Sequence, residues 1–175
     1  MAKVVNQKIL KKTFPDAIIR SGTIIYESVK IGKRFQTGHN AVIRENNIIG
    51  DDVVVGVNTY LGPNNKIGNK VKIHTSCFIE GVVLEDNVII SPHVVFTNDT
   101  YPPCKECVKD VGGAKVSENT VIGANTTILP GIKIGSNCLI GAGSVVTKDI
   151  EDNSIVVGNP AKELRKINEI NHKHK

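Results

Sequence analysis

Large apolar residues return at every sixth position along the middle of this chain. From Ile43 they recur with that spacing as far as Ile79, slip by one position, and continue from Leu84 to Phe96. An α-helix repeats its apolar face about every 3.6 residues and a half-buried strand every second residue, so neither produces a period of six. Each group of six residues, here called a hexad, therefore predicts one structural unit of a repeat array.

The composition of a hexad predicts its shape. Glycine usually follows the large apolar residue, and a small or β-branched residue often stands four positions after it. We interpret this pattern as a short strand followed by a corner, where glycine tolerates unusual backbone angles. Three hexads would close one triangular coil and stack residues about 18 positions apart. The predicted fold is all-β, a parallel β-helix filled by aliphatic ladders.

The hexads fall into two blocks. They run through residues 19–96, stop, and resume through residues 116–146. Residues 98–115 cannot be written as hexads, and we predict an inserted loop there. Loops of this length inside a compact repeat are usually functional lids or disordered segments, which makes this loop a candidate functional element.

The ends of the chain depart from the hexad pattern. Residues 1–14 are polar and rich in lysine, and we interpret them as a lead-in or cap for the open end of the β-helix. Residues 15–160 form the predicted β-helix domain. Residues 161–175 predict a tail with a short helix, because Leu164 and Ile167 would share one side of it.

Stacking predicts which residues meet in space. The first ladder is Thr37, Val55, Ile73, Ile90, Ile122 and Ile140, and the second is Ile43, Leu61, Ile79, Phe96, Ile128 and Val146. Residues just after a ladder position would lie at a corner and point outward. His39, His74 and His93 all fall at the corner after the first ladder, with His74 and His93 on adjacent coils about 5 Å apart along the axis. This polar corner is a candidate site.

A second polar group is predicted at the corner after the second ladder. It contains Arg44, Glu80 and the run from Thr97 through Asn98 to Asp99. The inserted loop leaves the coil at the same corner. A neighbouring subunit would be able to receive this loop and complete a site between chains.

Charge and composition limit the partners. The 175 residues carry a formal charge of +5 with a pI near 9.0, which favours anionic ligands. The lysines are spread out and not interleaved with aromatic residues, so a nucleic-acid partner is not expected. The chain has no apolar run of about 20 residues and its start lacks the features of a signal peptide, so we expect no membrane insertion and a cytoplasmic location.

The four cysteines divide into two pairs. Cys77 and Cys138 fall at the small inward position of a hexad, where packing explains them. Cys104 and Cys107 form a lone CxxC in the predicted loop, which is half of a tetrahedral zinc site. A disulfide, a zinc site and no role are all open for this pair. We expect no catalytic part for it and no required metal.

Three segments carry a resemblance to known proteins. The chain resembles the sugar-nucleotide N-acetyltransferases, which acetylate an amino group on a nucleotide-linked deoxysugar, in VKIHTSCFIEGVVLEDNVIISPHVVFTNDTYP. It resembles the coenzyme A side of hexapeptide-repeat acyltransferases generally in IGANTTILPGIKIG and IGAGSVVTKDIEDNSIVVGNPAK. The resemblance covers about residues 15–162. It implies a left-handed coil, acetyl-CoA as cosubstrate, a nucleotide-sugar substrate and a homotrimer with sites between subunits.

The resemblance also implies roles for residues on the coenzyme A side. Small corner residues would let the pantetheine arm lie close to the backbone, and basic residues would meet the phosphates. The small residues are Gly123, Ala124, Gly141 and Ala142, and the basic residues are Lys148, Lys162 and Arg165.

The hypothesis for the reaction is direct transfer in a ternary complex. The amine would attack the carbonyl of acetyl-CoA while backbone amides at the corner stabilise the oxyanion. The candidate catalytic residues are His74, the preferred imidazole base, His93 as a second base, and Glu80 and Asn98, which would orient the acceptor. The candidate substrate-binding residues are Asp99, Tyr101, Arg44 and His39.

One departure from related enzymes bears on the acceptor. Galactoside and maltose O-acetyltransferases place a catalytic His before a Pro in this loop, where this chain has Tyr101 and Pro102. A hydroxyl acceptor needs a base as it attacks, whereas a neutral amine is already nucleophilic and needs mainly positioning. The missing His therefore favours an amino acceptor.

Three other functions stay open. A sugar O-acetyltransferase would use His74 or His93 as its base. A γ-class carbonic anhydrase is also a hexapeptide-repeat trimer with three metal-binding histidines, but two of those lie five positions apart, and His39, His74 and His93 are not so spaced. A purely structural β-helix would leave the glycine-rich later hexads and the inserted loop unexplained.

Overall fold

The computed structural model describes residues 12–100 and 112–169. Within these residues, short strands alternate with tight turns, one strand to each hexad. The strands are β1 (Ile24–Ile25), β2 (Lys30–Ile31), β3 (Gln36–Thr37), β4 (Val42–Ile43), β5 (Ile48–Ile49), β6 (Val54–Val55), β7 (Tyr60–Leu61), β8 (Lys66–Ile67), β9 (Lys72–Ile73), β10 (Phe78–Ile79), β11 (Val83–Leu84), β12 (Ile89–Ile90), β13 (Val95–Phe96), β14 (Lys115–Val116), β15 (Val121–Ile122), β16 (Thr127–Ile128), β17 (Lys133–Ile134), β18 (Leu139–Ile140), β19 (Val145–Val146), β20 (Ser154–Val157) and β21 (Lys162–Lys166).

The strands form three parallel sheets, one for each side of a triangular coil. Sheet 1 follows the order β3, β6, β9, β12, β15, β18 and β20, with β21 added at its end. Sheet 2 runs from β1 to β19 and sheet 3 from β2 to β17, each taking every third strand. The result is a β-helix of about seven turns, consistent with the left-handed coil that the resemblance implies. We call the turns after sheets 1, 2 and 3 the first, second and third corners.

The predicted ladders are confirmed. In sheet 1, Thr37 pairs with Val55, Val55 with Ile73, Ile73 with Ile90, Ile90 with Ile122, and Ile122 with Ile140. These side chains are all at most 2% exposed and form the core together with the ladders of the other sheets. Thr37, the polar residue of this ladder, has hydrogen-bond partners. Its hydroxyl lies 3.0 Å from the Thr23 hydroxyl and accepts the Arg20 N–H at 3.1 Å.

The slip after Ile79 is accommodated by a buried asparagine. Asn65 is fully buried, and its side-chain amide donates to Asn47 Oδ1 at 2.8 Å and to the Gly62 carbonyl at 2.9 Å. Its Oδ1 accepts the N–H of Val82 at 2.9 Å, from a residue 17 positions along the chain instead of the usual 18. The side chain thus supplies hydrogen bonds for the coil that is one residue short.

The tail is a strand where the sequence predicted a helix. Residues Lys162–Lys166 form β21, which pairs antiparallel with β20, and only Ile167–Glu169 make a turn of 3₁₀-helix. The physical reason is that β20 is the last strand of sheet 1 and would otherwise leave unpaired N–H and C=O groups at its edge. Leu164 is 56% exposed, so it supplies no apolar helix face.

The regular coil is interrupted between β13 and β14. Strand β13 ends at Phe96, and the coil hydrogen bonds resume where Ala114 accepts the N–H of Val83 at 3.0 Å. Cys77 and Cys138 are each 2% exposed, as predicted, and burial raises the pKa of both thiols. Cys104 and Cys107 lie outside the described residues, as do residues 1–11 of the predicted lead-in.

None of the helical segments within 12–100 and 112–169 is long and apolar enough to cross a membrane.

Replacing Asn65 tests how the coil that is one residue short is stabilised. We expect Asn65→Ala to lower the free energy of unfolding by about 2–3 kcal/mol, because the Val82 N–H would lose its acceptor and the buried Asn47 Oδ1 would lose its donor. Chemical denaturation monitored by circular dichroism measures the change.

The matched control is Asn64→Gly, which removes an exposed hydrogen bond to Asn46 and keeps the positive φ of 66° accessible. We expect a change of roughly 0.5 kcal/mol or less for this variant. Equal losses in both variants would contradict the assigned role of Asn65.

Candidate functional site

A single row of residues runs along the first corner. It consists of the residue directly after each ladder position of sheet 1: Gly38, Gly56, His74, Ser91, Gly123 and Gly141. Adjacent members sit on adjacent coils, because the ladder residues before them pair in register. With about 4.8 Å per coil, His74 and Gly123 are about 10 Å apart along the axis. The candidate base therefore shares an edge with the predicted coenzyme A residues.

Backbone amides of this corner fall into two classes. The N–H groups of the row donate to the next coil, as from His74 to the Ile90 carbonyl at 2.8 Å and from Gly123 to the Ile140 carbonyl at 2.8 Å. One residue further, the N–H groups of Thr75, Ala124 and Ala142 donate to no residue within the described part of the chain. These second-position amides are the donors that a bound ligand can use.

The three histidines share the corner but occupy different positions in it. His74 lies in the row and is exposed, whereas His39 stands one residue further along its turn and two coils away. His39 Nδ1 lies 2.8 Å from the Ser21 hydroxyl. His93 takes the third turn position with a φ of 61°, and its N–H donates to the Thr75 carbonyl at 3.0 Å. His74 and His93 are thus the neighbouring pair.

The glycines of the row have a packing explanation. A Cβ atom on Gly123 would lie 2.5 Å from the Ala142 nitrogen, and one on Gly141 would lie 2.6 Å from Val157 Cγ1. The backbone of the next coil thus excludes a side chain at Gly123, whereas at Gly141 the Val157 side chain would have to move. Ala124 and Ala142 have small side chains beside the unused amides, so they are the better indication of room for a ligand.

The second corner holds the remaining acceptor-side candidates. Glu80 follows β10, and its carboxylate covers Gly62, where an added Cβ would lie 2.6 Å from Glu80 Oε2. Asn98 is exposed and Asp99 is half-buried just after β13. Sheet 2 separates this corner from the first, so one chain does not bring these residues together with His74.

Arg44 is engaged within its own chain. Its guanidinium donates to both carboxylate oxygens of Glu45 at 2.7 Å and to the Tyr60 hydroxyl at 2.9 Å, and it lies 5.1 Å from the centre of the Tyr26 ring. Tyr60 in turn stacks on Phe78 with ring centres 5.3 Å apart. Hydrogen bonding to Arg44 lowers the pKa of Glu45, and the same pair raises the pKa of Arg44. The predicted substrate contact thus belongs to an ordered cluster.

The predicted phosphate-binding residues lie at two separate places, on β21 and at the second corner. Lys162 and Arg165 are exposed on β21, where Lys162 pairs with Val157, the residue that packs against Gly141. Lys148 is exposed at the second corner. Tyr101 lies outside the described residues.

The sequence of the later coils matches a known repeat. Residues 113–148 match the family model described as bacterial transferase hexapeptide (six repeats). The matched segment carries the hexapeptide repeat of that family. The hexapeptide-repeat resemblance drawn from the sequence is thereby confirmed.

Similar proteins are acetyltransferases by name. Over 98 residues this chain is 38% identical to galactoside O-acetyltransferase of Lactococcus lactis subsp. lactis (strain IL1403), a match that covers 53% of this chain and 46% of that protein. The chain spans about half the length of the curated relatives it matches.

Solved structures share the fold. The acetyltransferase domain of PglB from Neisseria gonorrhoeae FA1090, solved in complex with acetyl coenzyme A, superposes with a TM-score of 0.53 at 22% identity and covers 86% of this chain and 55% of that one. The polySia specific acetyltransferase NeuO gives the same TM-score and identity over 86% of this chain and 85% of that one. At this identity the likeness concerns the fold.

Possible metal ligands are dispersed over the described part of the coils. Across residues 12–100 and 112–169, no three His, Cys, Asp or Glu side chains lie close enough to hold one ion. Ser91 is the member of the first-corner row with a polar side chain that the sequence-based candidates lack. Only the register of the coils, including the slip, identifies its place next to His74.

The Arg44–Glu45 pair predicts a pH dependence of stability. Because the folded pKa of Glu45 is lowered, the pair stabilises the fold above the unfolded value of about 4.3 and this contribution is lost as pH falls through the folded pKa. We expect Glu45→Gln to be less stable than the wild type at pH 7, with the difference shrinking below about pH 4.3.

Denaturation at several pH values between 3 and 7 makes this measurement. Glu27→Gln is the charge control, since Glu27 makes no ion pair with the described residues. A difference between wild type and Glu45→Gln that is constant with pH would show that the carboxylate charge is unimportant.

Proposed function

We propose that this chain is an acetyl-CoA-dependent acetyltransferase that acetylates an amino group of a nucleotide-linked deoxysugar. The observation that carries the proposal is the first-corner row, where His74 shares one edge with the unused N–H groups of Thr75, Ala124 and Ala142. An exposed imidazole beside unpaired amide donors is the pairing that acyl transfer requires.

The comparisons support acetyl transfer as the reaction. The Lactococcus lactis relative is named an O-acetyltransferase, and the PglB domain with the same fold was solved with acetyl coenzyme A. Acetyl-CoA would supply the activated acyl group as a thioester. The nucleotide-linked acceptor rests on the sequence resemblance around residues 71–102.

The residues of the first corner have distinct tasks in this reaction. The acceptor amine attacks the thioester carbonyl, and His74 takes up the proton that the amine loses. The Ala124 N–H donates to the oxygen as it gains negative charge. The C–S bond then breaks and the thiolate leaves, so the acyl group passes directly to the amine. His93, on the coil next to His74, is the second candidate base.

The division of candidates between two corners supports a site shared by subunits. His74 lies at the first corner, while Glu80, Asn98 and Asp99 lie at the second. In a homotrimer the first corner of one chain would face the second corner of the next, and cyclic symmetry would repeat the site. Glu80 and Asn98 would then orient an acceptor whose amine reaches His74 of the neighbouring chain.

The outer surface of sheet 2 supports this arrangement. Six of the seven outward positions on its strands are apolar or aromatic and the seventh is Thr127, whereas four of the six outward positions of sheet 3 are lysines. The sheet 2 residues are Ile24, Val42, Tyr60, Phe78, Val95 and Val145, and the sheet 3 lysines are Lys30, Lys66, Lys115 and Lys133. Ile24 is 40% exposed in the single chain. This apolar surface joins the two corners and is suited to contact between copies.

A hydroxyl acceptor is the second candidate. It is favoured by the name of the Lactococcus lactis relative, and it needs a base that His74 or His93 would supply. The argument for an amine rests on Tyr101 in place of a histidine, in residues that the structure does not describe. The acceptor experiment separates the two functions.

The first experiment measures CoA release from acetyl-CoA with a panel of acceptors. Amino sugars and matching hydroxy sugars are each offered free and linked to UDP, dTDP or GDP. We expect release with a nucleotide-linked amine and none with its hydroxyl counterpart. Release with hydroxy sugars would favour the O-acetyltransferase, and absence of both turnover and CoA binding by calorimetry would reject acetyl transfer.

The second experiment tests the proposed base. We expect His74→Ala to lower kcat roughly 100-fold with the best acceptor, because proton removal loses its general base. Glu118→Ala, an exposed change at the third corner, controls for surface substitutions and is expected to keep full activity. A His74→Ala variant with kcat within threefold of wild type would assign the proton transfer elsewhere.

A further inference from the structure

One coil of the first corner has no N–H group at its second turn position. On the coils before and after it, the second turn position offers the unused N–H groups of Thr75 and Ala124. On the coil between them that position is Pro92, which has no N–H. This coil carries the row directly between His74 and Gly123, where the reacting carbonyl would lie.

The same coil carries a hydroxyl that the fold does not use. Ser91 is half-buried in the row, and the registers of Ile73 with Ile90 and of Ile90 with Ile122 place it between His74 and Gly123. Within the described residues its hydroxyl makes no hydrogen bond. By contrast, the hydroxyl of Thr97, at the equivalent position of the second corner, donates to the Ile128 carbonyl at 3.1 Å.

We infer that Ser91 is a catalytic residue whose hydroxyl donates a hydrogen bond to the acyl carbonyl oxygen as it gains negative charge. The inference rests on the proposed acetyl transfer. Adjacent coils are about 4.8 Å apart, so one oxygen between them is within reach of both the Ser91 hydroxyl and the Ala124 N–H. Ser91 thus provides on its own coil the donor that Pro92 removes.

The hydroxyl acts without being consumed. When the amine nitrogen forms its bond to the carbonyl carbon, the C=O π electrons move to oxygen, and Ser91 holds that charge by its O–H. When the C=O bond re-forms, the C–S bond breaks, the thiolate leaves and the amine proton goes to His74. Ser91 keeps its proton and forms no covalent bond to the acyl group, so no acyl-serine accumulates.

The chain offers a matched control and a conservative replacement. Ser117 occupies the same hexad position at the third corner, its N–H donates to the next coil at 2.9 Å as that of Ser91 does, and its hydroxyl also has no partner within the described residues. Thr97 shows that threonine fits this hexad position. The variants are therefore Ser91→Ala, Ser117→Ala and Ser91→Thr.

The experiment measures kcat and KM for acetyl-CoA, CoA binding by calorimetry and thermal stability for each variant. We expect Ser91→Ala to lower kcat roughly 100-fold, the effect typical of losing one oxyanion donor, with CoA affinity and stability unchanged. Ser117→Ala is expected to match wild type. Ser91→Thr keeps a hydroxyl and is expected to keep most of the activity.

Each other outcome overturns the inference in a recognisable way. An active wild type with Ser91→Ala within threefold of its kcat rejects Ser91 alone and leaves the acetyl transfer intact. Equal losses in Ser91→Ala and Ser117→Ala, or a Ser91→Thr variant as slow as Ser91→Ala, would show that the hydroxyl is not the cause. A wild type that transfers to no acceptor rejects the proposed function and the role of Ser91 with it.

Discussion

The fold depends on the register between successive coils. Each strand bonds to its equivalent one coil further on, and the corner residues follow, as where the N–H of Gly123 donates to the Ile140 carbonyl at 2.8 Å. A residue's place in its hexad therefore decides whether it fills the core, donates to the next coil or faces solvent. Chemistry in such a molecule is arranged in rows along the axis, and the register determines the members of each row.

The slip after Ile79 shows how strongly function follows register. Ile90 pairs with Ile73 across 17 positions instead of 18, so Ser91 stacks on His74 and Pro92 on Thr75 in spite of the slip. Asn65 makes this possible, because its buried amide supplies the hydrogen bonds that the short coil needs. The hydrogen bonds of Asn65 at the second corner thus accompany the shortened coil, while the first-corner row stays in register.

The sequence predicts what repeats and misses what occurs once. The ladders, the coils and the burial of Cys77 follow from the six-residue period, since each position is reinforced by its neighbours above and below. The tail does not repeat, and the need to cover the edge of β20 outweighed the weak helical pattern of Leu164 and Ile167. The pairing of Arg44 with Glu45 depends on side-chain conformations that no period encodes.

The candidate site was predictable in part for the same reason. Periodicity places His74 and His93 at one corner, but it cannot tell a used amide from an unused one. It also cannot tell a glycine kept for a ligand from one required by packing. Here a Cβ on Gly38, Gly56 or Gly123 would lie within 2.5 Å of backbone in the next coil, so glycine in the first-corner row follows from coil contact alone.

The informative members of that row are those that carry side chains. His74 precedes the coil that is one residue short, and Ser91 precedes the coil that contains the inserted residues. Both therefore stand where the regular stacking is interrupted, and between the two glycine-lined stretches of the same edge. The glycines of the row are explained by contact between coils. His74 and Ser91 have no such packing explanation, so a chemical role accounts for them more readily.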